Sequence, residues 1–138
     1  MAYIAIDVDG TVVTHDFPHM GSDIGAAPVL KELVANGHQL IIFTMRSDNF
    51  DKQQFYLMDA VEWFKKNEIP LFGIQTNPTQ KKWTSSPKAY FHYLIDDAAA
   101  FAPLLYEGDK GYVPNPDRRP HIDWKRMRAE LVRVGYIK

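Results

Sequence analysis

Two aspartates one residue apart, Asp7 and Asp9, stand at the end of an apolar run near the start of this 138-residue chain. The run is Tyr3-Ile4-Ala5-Ile6 and its continuation is Asp7-Val8-Asp9-Gly10-Thr11. Successive bulky apolar residues read as a buried strand of a parallel sheet. Carboxylates at the carboxyl end of such a strand sit where open α/β sheets bind their ligands. If the strand continued, the two side chains would be about 6 to 7 Å apart, close enough to share one cation or one reacting phosphate. Two further apolar runs end in reactive groups: Leu40-Ile41-Ile42-Phe43 in Thr44-Met45-Arg46, and Leu94-Ile95 in Asp96-Asp97. Parallel strands bring those ends to one edge.

Carboxylates gathered on one edge repel one another unless a cation offsets their charge. With no cysteine in the chain, the ligands are oxygen or imidazole, and hard oxygen donors point to Mg²⁺. A carboxylate beside Mg²⁺ can attack phosphorus, and aspartyl-phosphate formation is an established nucleophilic route. A second carboxylate two residues on could protonate the leaving oxygen and later deprotonate water. A hydroxyl and a lysine would hold the phosphoryl oxygens.

The elements that must position these groups alternate. The pattern predicts a strand over residues 2–7, a polar loop over 14–25, and a helix entered near Pro28 and stopped at Gly37. A second strand covers 40–43. A second helix runs over 52–67, its core stripe formed by Leu57, Ala60, Val61 and Phe64. Strands follow at 70–74 and 90–95, separated by a loop rich in Pro, Thr, Ser and Lys. A turn-rich stretch over 108–121 leads to a last helix capped by Asp123. Strands alternating with helices imply a parallel sheet covered on both faces, in a single domain.

In this order the residues resemble the haloacid dehalogenase superfamily of phosphatases. Asp7-Val8-Asp9-Gly10-Thr11 resembles its first signature, Leu40 to Thr44 its second, and Leu94-Ile95-Asp96-Asp97 its fourth. The third is a lone lysine, with Lys81, Lys82 and Lys88 as candidates; Lys88, in Pro87-Lys88-Ala89-Tyr90, is the preferred one. The resemblance spans roughly residues 3–105. It implies a three-layer Rossmann-like α/β fold, with Asp7 as nucleophile and Asp9 as general acid/base. It further implies Thr44 and Lys88 on the phosphoryl group, and Mg²⁺ held by Asp7, Asp96 and Asp97 with Asp9 adding its backbone carbonyl. Dehalogenating members usually lack the second aspartate, so Asp9 favours phosphoryl transfer. Members often carry a cap domain after the first or the third strand. Residues 12–25 and 75–87 are too short for one, so a capless core with an open site is expected, suited to large substrates or to closure by a second subunit.

Other residues admit two readings. Arg46 could touch the substrate or form a surface ion pair. His15 and His19 read as members of an exposed loop, and His92 as a packed histidine. Trp63, Trp83 and Trp124 read as packing residues. Net charge is −1 overall, yet residues 1–109 hold 8 basic and 14 acidic side chains, and residues 110–138 hold 8 and 3. A basic C-terminal stretch suits either a solvated helix face or an anionic partner such as nucleic acid. No run reaches the 18 or so apolar residues of a membrane span, and no leader segment precedes the first strand, so a cytoplasmic protein is expected. Three functions follow: a Mg²⁺-dependent phosphomonoesterase first, then a phosphatase of nucleic-acid ends, and last a non-catalytic phosphate-binding module.

Overall fold

No polar alternation marks the first strand, because both of its faces are covered. In the computed structural model, which describes residues 1–138, β1 (Tyr3–Ile6) buries Ile4, Ala5 and Ile6 completely. Helix α1 (Ala26–Ala35) follows and turns Val29, Leu30 and Leu33 inward. Its stop is Gly37, whose φ of +88° is open to glycine at no steric cost. The chain returns as β2 (Gln39–Ile42) and then makes a small antiparallel hairpin of β3 (Asp48–Asn49) and β4 (Gln54–Phe55).

Helix α2 (Tyr56–Lys66) starts four residues later than the pattern predicts, since residues 48–55 form that hairpin instead. The third strand of the sheet, β5 (Gly73–Ile74), is two residues long, and the fourth, β6 (Tyr93–Ile95), is three. Both are shorter than expected. A second antiparallel pair, β7 (Leu104–Leu105) with β8 (His121–Ile122), closes the turn-rich stretch. Last comes α3 (Trp124–Arg133). Asp123 caps it as expected, its side chain accepting from the backbone N–H groups of Lys125 and Arg126.

The central sheet has the order β5-β2-β1-β6, and every neighbouring pair is parallel. The fold is α/β, three-layered and Rossmann-like. Residues of all three helices join Ile4, Ile6, Leu40 and Ile42 in one apolar cluster on one face of the sheet. Ala5 and Ile41 point the other way and are equally buried. Over that second face lies the segment 75–92, irregular apart from one 3₁₀ turn (Gln80–Lys82). Its Tyr90 and Phe91 rings meet Tyr3 and Phe43 there. Handedness explains the change of side. The crossovers β1–α1–β2 and β2–α2–β5 step one way across the sheet, while β5 to β6 steps back, so a right-handed connection must use the opposite face. No helix is long and apolar enough to cross a membrane.

Candidate functional site

The reversal of strand order falls between β1 and β6, which pair in parallel so that their carboxyl ends lie side by side at one end of the sheet. Asp7 stands on the end of β1, its N–H donating to the Ile95 carbonyl at 3.0 Å. Asp96 and Asp97 follow β6 directly. Carboxylate oxygens of Asp7, Asp96 and Asp97 all lie within 4.8 Å of one another, so the three could hold a metal ion. Beside them opens a cleft of about 280 Å³, lined by Asp7, Phe43, Thr44, Met45, Gln75 and Asp96.

Electrostatics in the cluster are divided. Burial, with the neighbouring Asp96 charge behind it, pushes the Asp7 carboxyl up from 3.8 to about 8. Asp96 is also raised, chiefly by burial. Burial acts in the same sense on Asp97, but hydrogen bonds from His15 and Asp7, with the nearby His15, outweigh it and hold Asp97 low. Three acids in one place thus resist ionising together. A hard cation would relieve that conflict, and the all-oxygen donor set fits one.

Thr11 ties the cluster to the turn. Its hydroxyl donates to Asp7 Oδ2 at 2.8 Å and accepts the Asp97 N–H at 3.0 Å. Its carbonyl accepts from Trp124 Nε1 at 2.7 Å, so the start of α3 braces the same turn. Gly10 leaves room for His15: a Cβ there would stand 2.1 Å from His15 Nε2 and 2.4 Å from Asp97 Oδ2. His15 is buried rather than exposed, with Nε2 2.8 Å from Asp97 Oδ2. His19 does lie exposed. The burial of His15 had no local signal, because its partner is 82 residues away.

Thr44 lies in the cleft as expected. Gln75, which the sequence did not single out, fixes it from both sides. The amide oxygen of Gln75 accepts the Thr44 N–H at 2.8 Å, and its Nε2 donates to the Thr44 carbonyl at 2.6 Å. A polar residue ending β5 next to β2 was the available signal.

Asp9 stands apart from the acidic cluster. Both of its oxygens accept from Arg46, at 2.8 Å from Nε and 2.8 Å from Nη2. Arg46 is neither a surface ion-pair residue nor free for a ligand. Its side chain is 1 % exposed, and its remaining donors reach the carbonyls of Pro18, His19 and Tyr56. Every guanidinium N–H therefore has a partner, which departs from the expected contact between Arg46 and phosphate.

Lys88 lines a neighbouring cavity and not the cleft, while Lys81 and Lys82 are exposed in the 3₁₀ turn. His92 is exposed rather than packed in the core, stacked on Tyr3 with ring centroids 5.5 Å apart. Trp124 is buried and Trp63 half-buried, but Trp83 is 61 % exposed, against its reading as a packing residue. In the basic C-terminal stretch Arg118, Arg126, Arg128 and Arg133 all pair with acidic side chains of the same chain.

No family model and no curated protein matches this sequence. Among solved structures, a conserved protein coded by a locus from Bacteroides thetaiotaomicron is similar, with a TM-score of 0.65 and 24% identity. The match covers 96% of this chain and 90% of that one, and it shows a shared fold.

Proposed function

We propose that this protein is a Mg²⁺-dependent phosphomonoesterase that works through an aspartyl-phosphate on Asp7. The observation carrying this reading is the convergence of Asp7, Asp96 and Asp97 at the strand-order reversal, beside Thr44 in one cleft. The order of motifs resembling haloacid dehalogenase-superfamily phosphatases supports it. Asp7, Asp96 and Asp97 would hold Mg²⁺, which neutralises charge between the carboxylates and the phosphoryl oxygens. Thr44, with its backbone gripped by Gln75, would orient one phosphoryl oxygen.

In the first step an Asp7 oxygen bonds to phosphorus as the ester P–O bond breaks, and the departing oxygen takes a proton from Asp9. In the second, water gives a proton to Asp9 as its oxygen bonds to phosphorus. The Asp7–phosphorus bond then breaks, leaving inorganic phosphate and free Asp7. For either step Asp9 would have to leave its bidentate pairing with Arg46, whose contacts to the carbonyls of Pro18, His19 and Tyr56 do not depend on it.

The test is hydrolysis of an aryl phosphate with Mg²⁺ and with EDTA, in wild type and Asp7→Asn. Turnover should need Mg²⁺ and fall by roughly a thousandfold or more in the variant. Activity indifferent to EDTA, or undiminished in Asp7→Asn, overturns the reading.

A further inference from the structure

Thr11 has one hydroxyl hydrogen to offer two carboxylates. Its oxygen lies 2.8 Å from Asp7 Oδ2 and 3.3 Å from Asp97 Oδ1, so the hydrogen goes to Asp7. With Asp7 ionised on a cation, the Asp97 carboxylate has one donor left: His15, whose Nε2 stands 2.8 Å from Oδ2. An ionised carboxylate only accepts, so Nε2 carries a hydrogen there, in the neutral ring as well as in the charged one.

The chain holds His15 in place by itself. Thr14, buried beside it, donates its N–H to the Ser22 carbonyl, and its hydroxyl accepts the Ser22 N–H, both at 2.9 Å. Val13 bridges to Asp9 and to Asp23. Gly21 passes so close to Thr14 that a Cβ would strike the Thr14 carbonyl. Gly10, at φ +80°, lies against the His15–Asp97 pair, where a Cβ would collide with both side chains. Its N–H donates to the Val13 carbonyl at 2.8 Å, and its carbonyl accepts the Ile122 N–H at 3.0 Å. The absence of two side chains, at Gly10 and Gly21, thus makes room for one fixed histidine.

With Oδ2 tied to His15, Asp97 has Oδ1 left for a cation, on the side of Thr11 and hence of Asp7. One oxygen per carboxylate suits Mg²⁺, which demands near-ideal octahedral geometry at about 2.0 to 2.1 Å. A carboxylate free to turn can offer both oxygens, an arrangement that Ca²⁺ accepts at about 2.3 to 2.6 Å. We infer that His15 is a positioning residue that restricts Asp97 to one-oxygen coordination, and so tunes the site toward Mg²⁺ and against Ca²⁺. The inference rests on the metal site of the phosphatase reading above, and not on the turnover ascribed to Asp7.

The experiment titrates Mg²⁺ and Ca²⁺ separately into the full-length protein by calorimetry, in wild type, His15→Gln, His15→Asn and His15→Ala. Gln can place an amide N–H where Nε2 stands, whereas the amide of Asn falls short, at the position of Nδ1. Urea denaturation checks that each variant is folded, and the Asn–Gln comparison decides the matter if the Ala variant is not. Mg²⁺ affinity should fall about tenfold or more in the Ala and Asn variants and stay within about threefold of wild type in the Gln variant. Ca²⁺ affinity should fall in none of them. A structural role alone would weaken both cations alike, so equal losses overturn the inference. An unchanged Mg²⁺ affinity without the donor, or a wild type that binds Ca²⁺ more tightly, overturns it as well. Selectivity that follows the donor upholds it even where no phosphate ester is hydrolysed, a result that would count against the phosphatase reading alone. A wild type that binds neither cation overturns both the inference and the metal site on which it rests.

Discussion

Arg46 joins three separate pieces of chain: Asp9 after β1, the Pro18-His19 turn, and Tyr56 at the start of α2. Removing a buried charge from its partner leaves the other unpaired, at a cost of about 3 to 5 kcal/mol. Arg46→Ala should therefore lower stability by that order in urea denaturation, and a loss under about 1 kcal/mol would show that the clasp is not structural. None of this was legible beforehand, because the acceptors lie 10 to 37 residues from Arg46 and three of them are backbone carbonyls. Asp7, Asp96 and Asp97 could be read because each ends its own apolar run, and strand ends are local features. The burial of His15 depends on the space at Gly10 and on Asp97, and no neighbour in sequence announces it.

Helices whose ends carry their own signals were readable as elements. Gly37 ends α1, and Asp123 begins α3. Asp123→Ala should cost about 1 kcal/mol through loss of that cap, seen as a lower urea midpoint with an unchanged slope. An unaltered midpoint would mean that packing of Trp124, Met127 and Leu131 fixes the helix start without it. Helix α2 has no such local signal. Its first N–H groups, from Leu57 and Met58, donate to Asp48 Oδ1 at 3.1 Å from across the β3–β4 hairpin. A cap brought in from nine residues upstream is invisible to a scan for residues adjoining the helix. Strand β6 begins late for a related reason: Tyr90 and His92 are committed to the ring cluster on Tyr3 before the ladder is established.

At the scale of the molecule, the acidic cluster makes stability depend on pH. Asp7 holds its proton to about pH 8 in the folded chain, whereas the unfolded carboxyl releases it near 3.8. Between those values the folded state binds the extra proton, so this contribution is fully present below about pH 4 and is lost as pH rises toward 8. Asp96 acts in the same direction. Asp97 acts oppositely, adding stability above 3.8 that is lost as pH falls. In EDTA the wild type should unfold at lower urea at pH 8 than at pH 5, and Asp7→Asn should show a clearly smaller difference. Equal differences in the two proteins would remove Asp7 as the source. The α/β architecture itself was plain from the alternation of runs. That all three helices share one face was not, since it follows from the step direction between β5 and β6.

The position of β6 at the sheet edge also sets an order of assembly. The contact between Ala2 and His38 closes 36 residues, whereas that between Tyr3 and His92 closes 89. Chain closure disfavours the longer loop, so β1, α1 and β2 can associate well before β6 docks. Asp96 and Asp97 arrive with that last strand. A nascent or partly refolded chain can thus hold most of its apolar cluster while the acidic crevice is still missing a wall. Recovery of cation binding would then trail recovery of helical signal, and the delay would time the docking of a single three-residue strand.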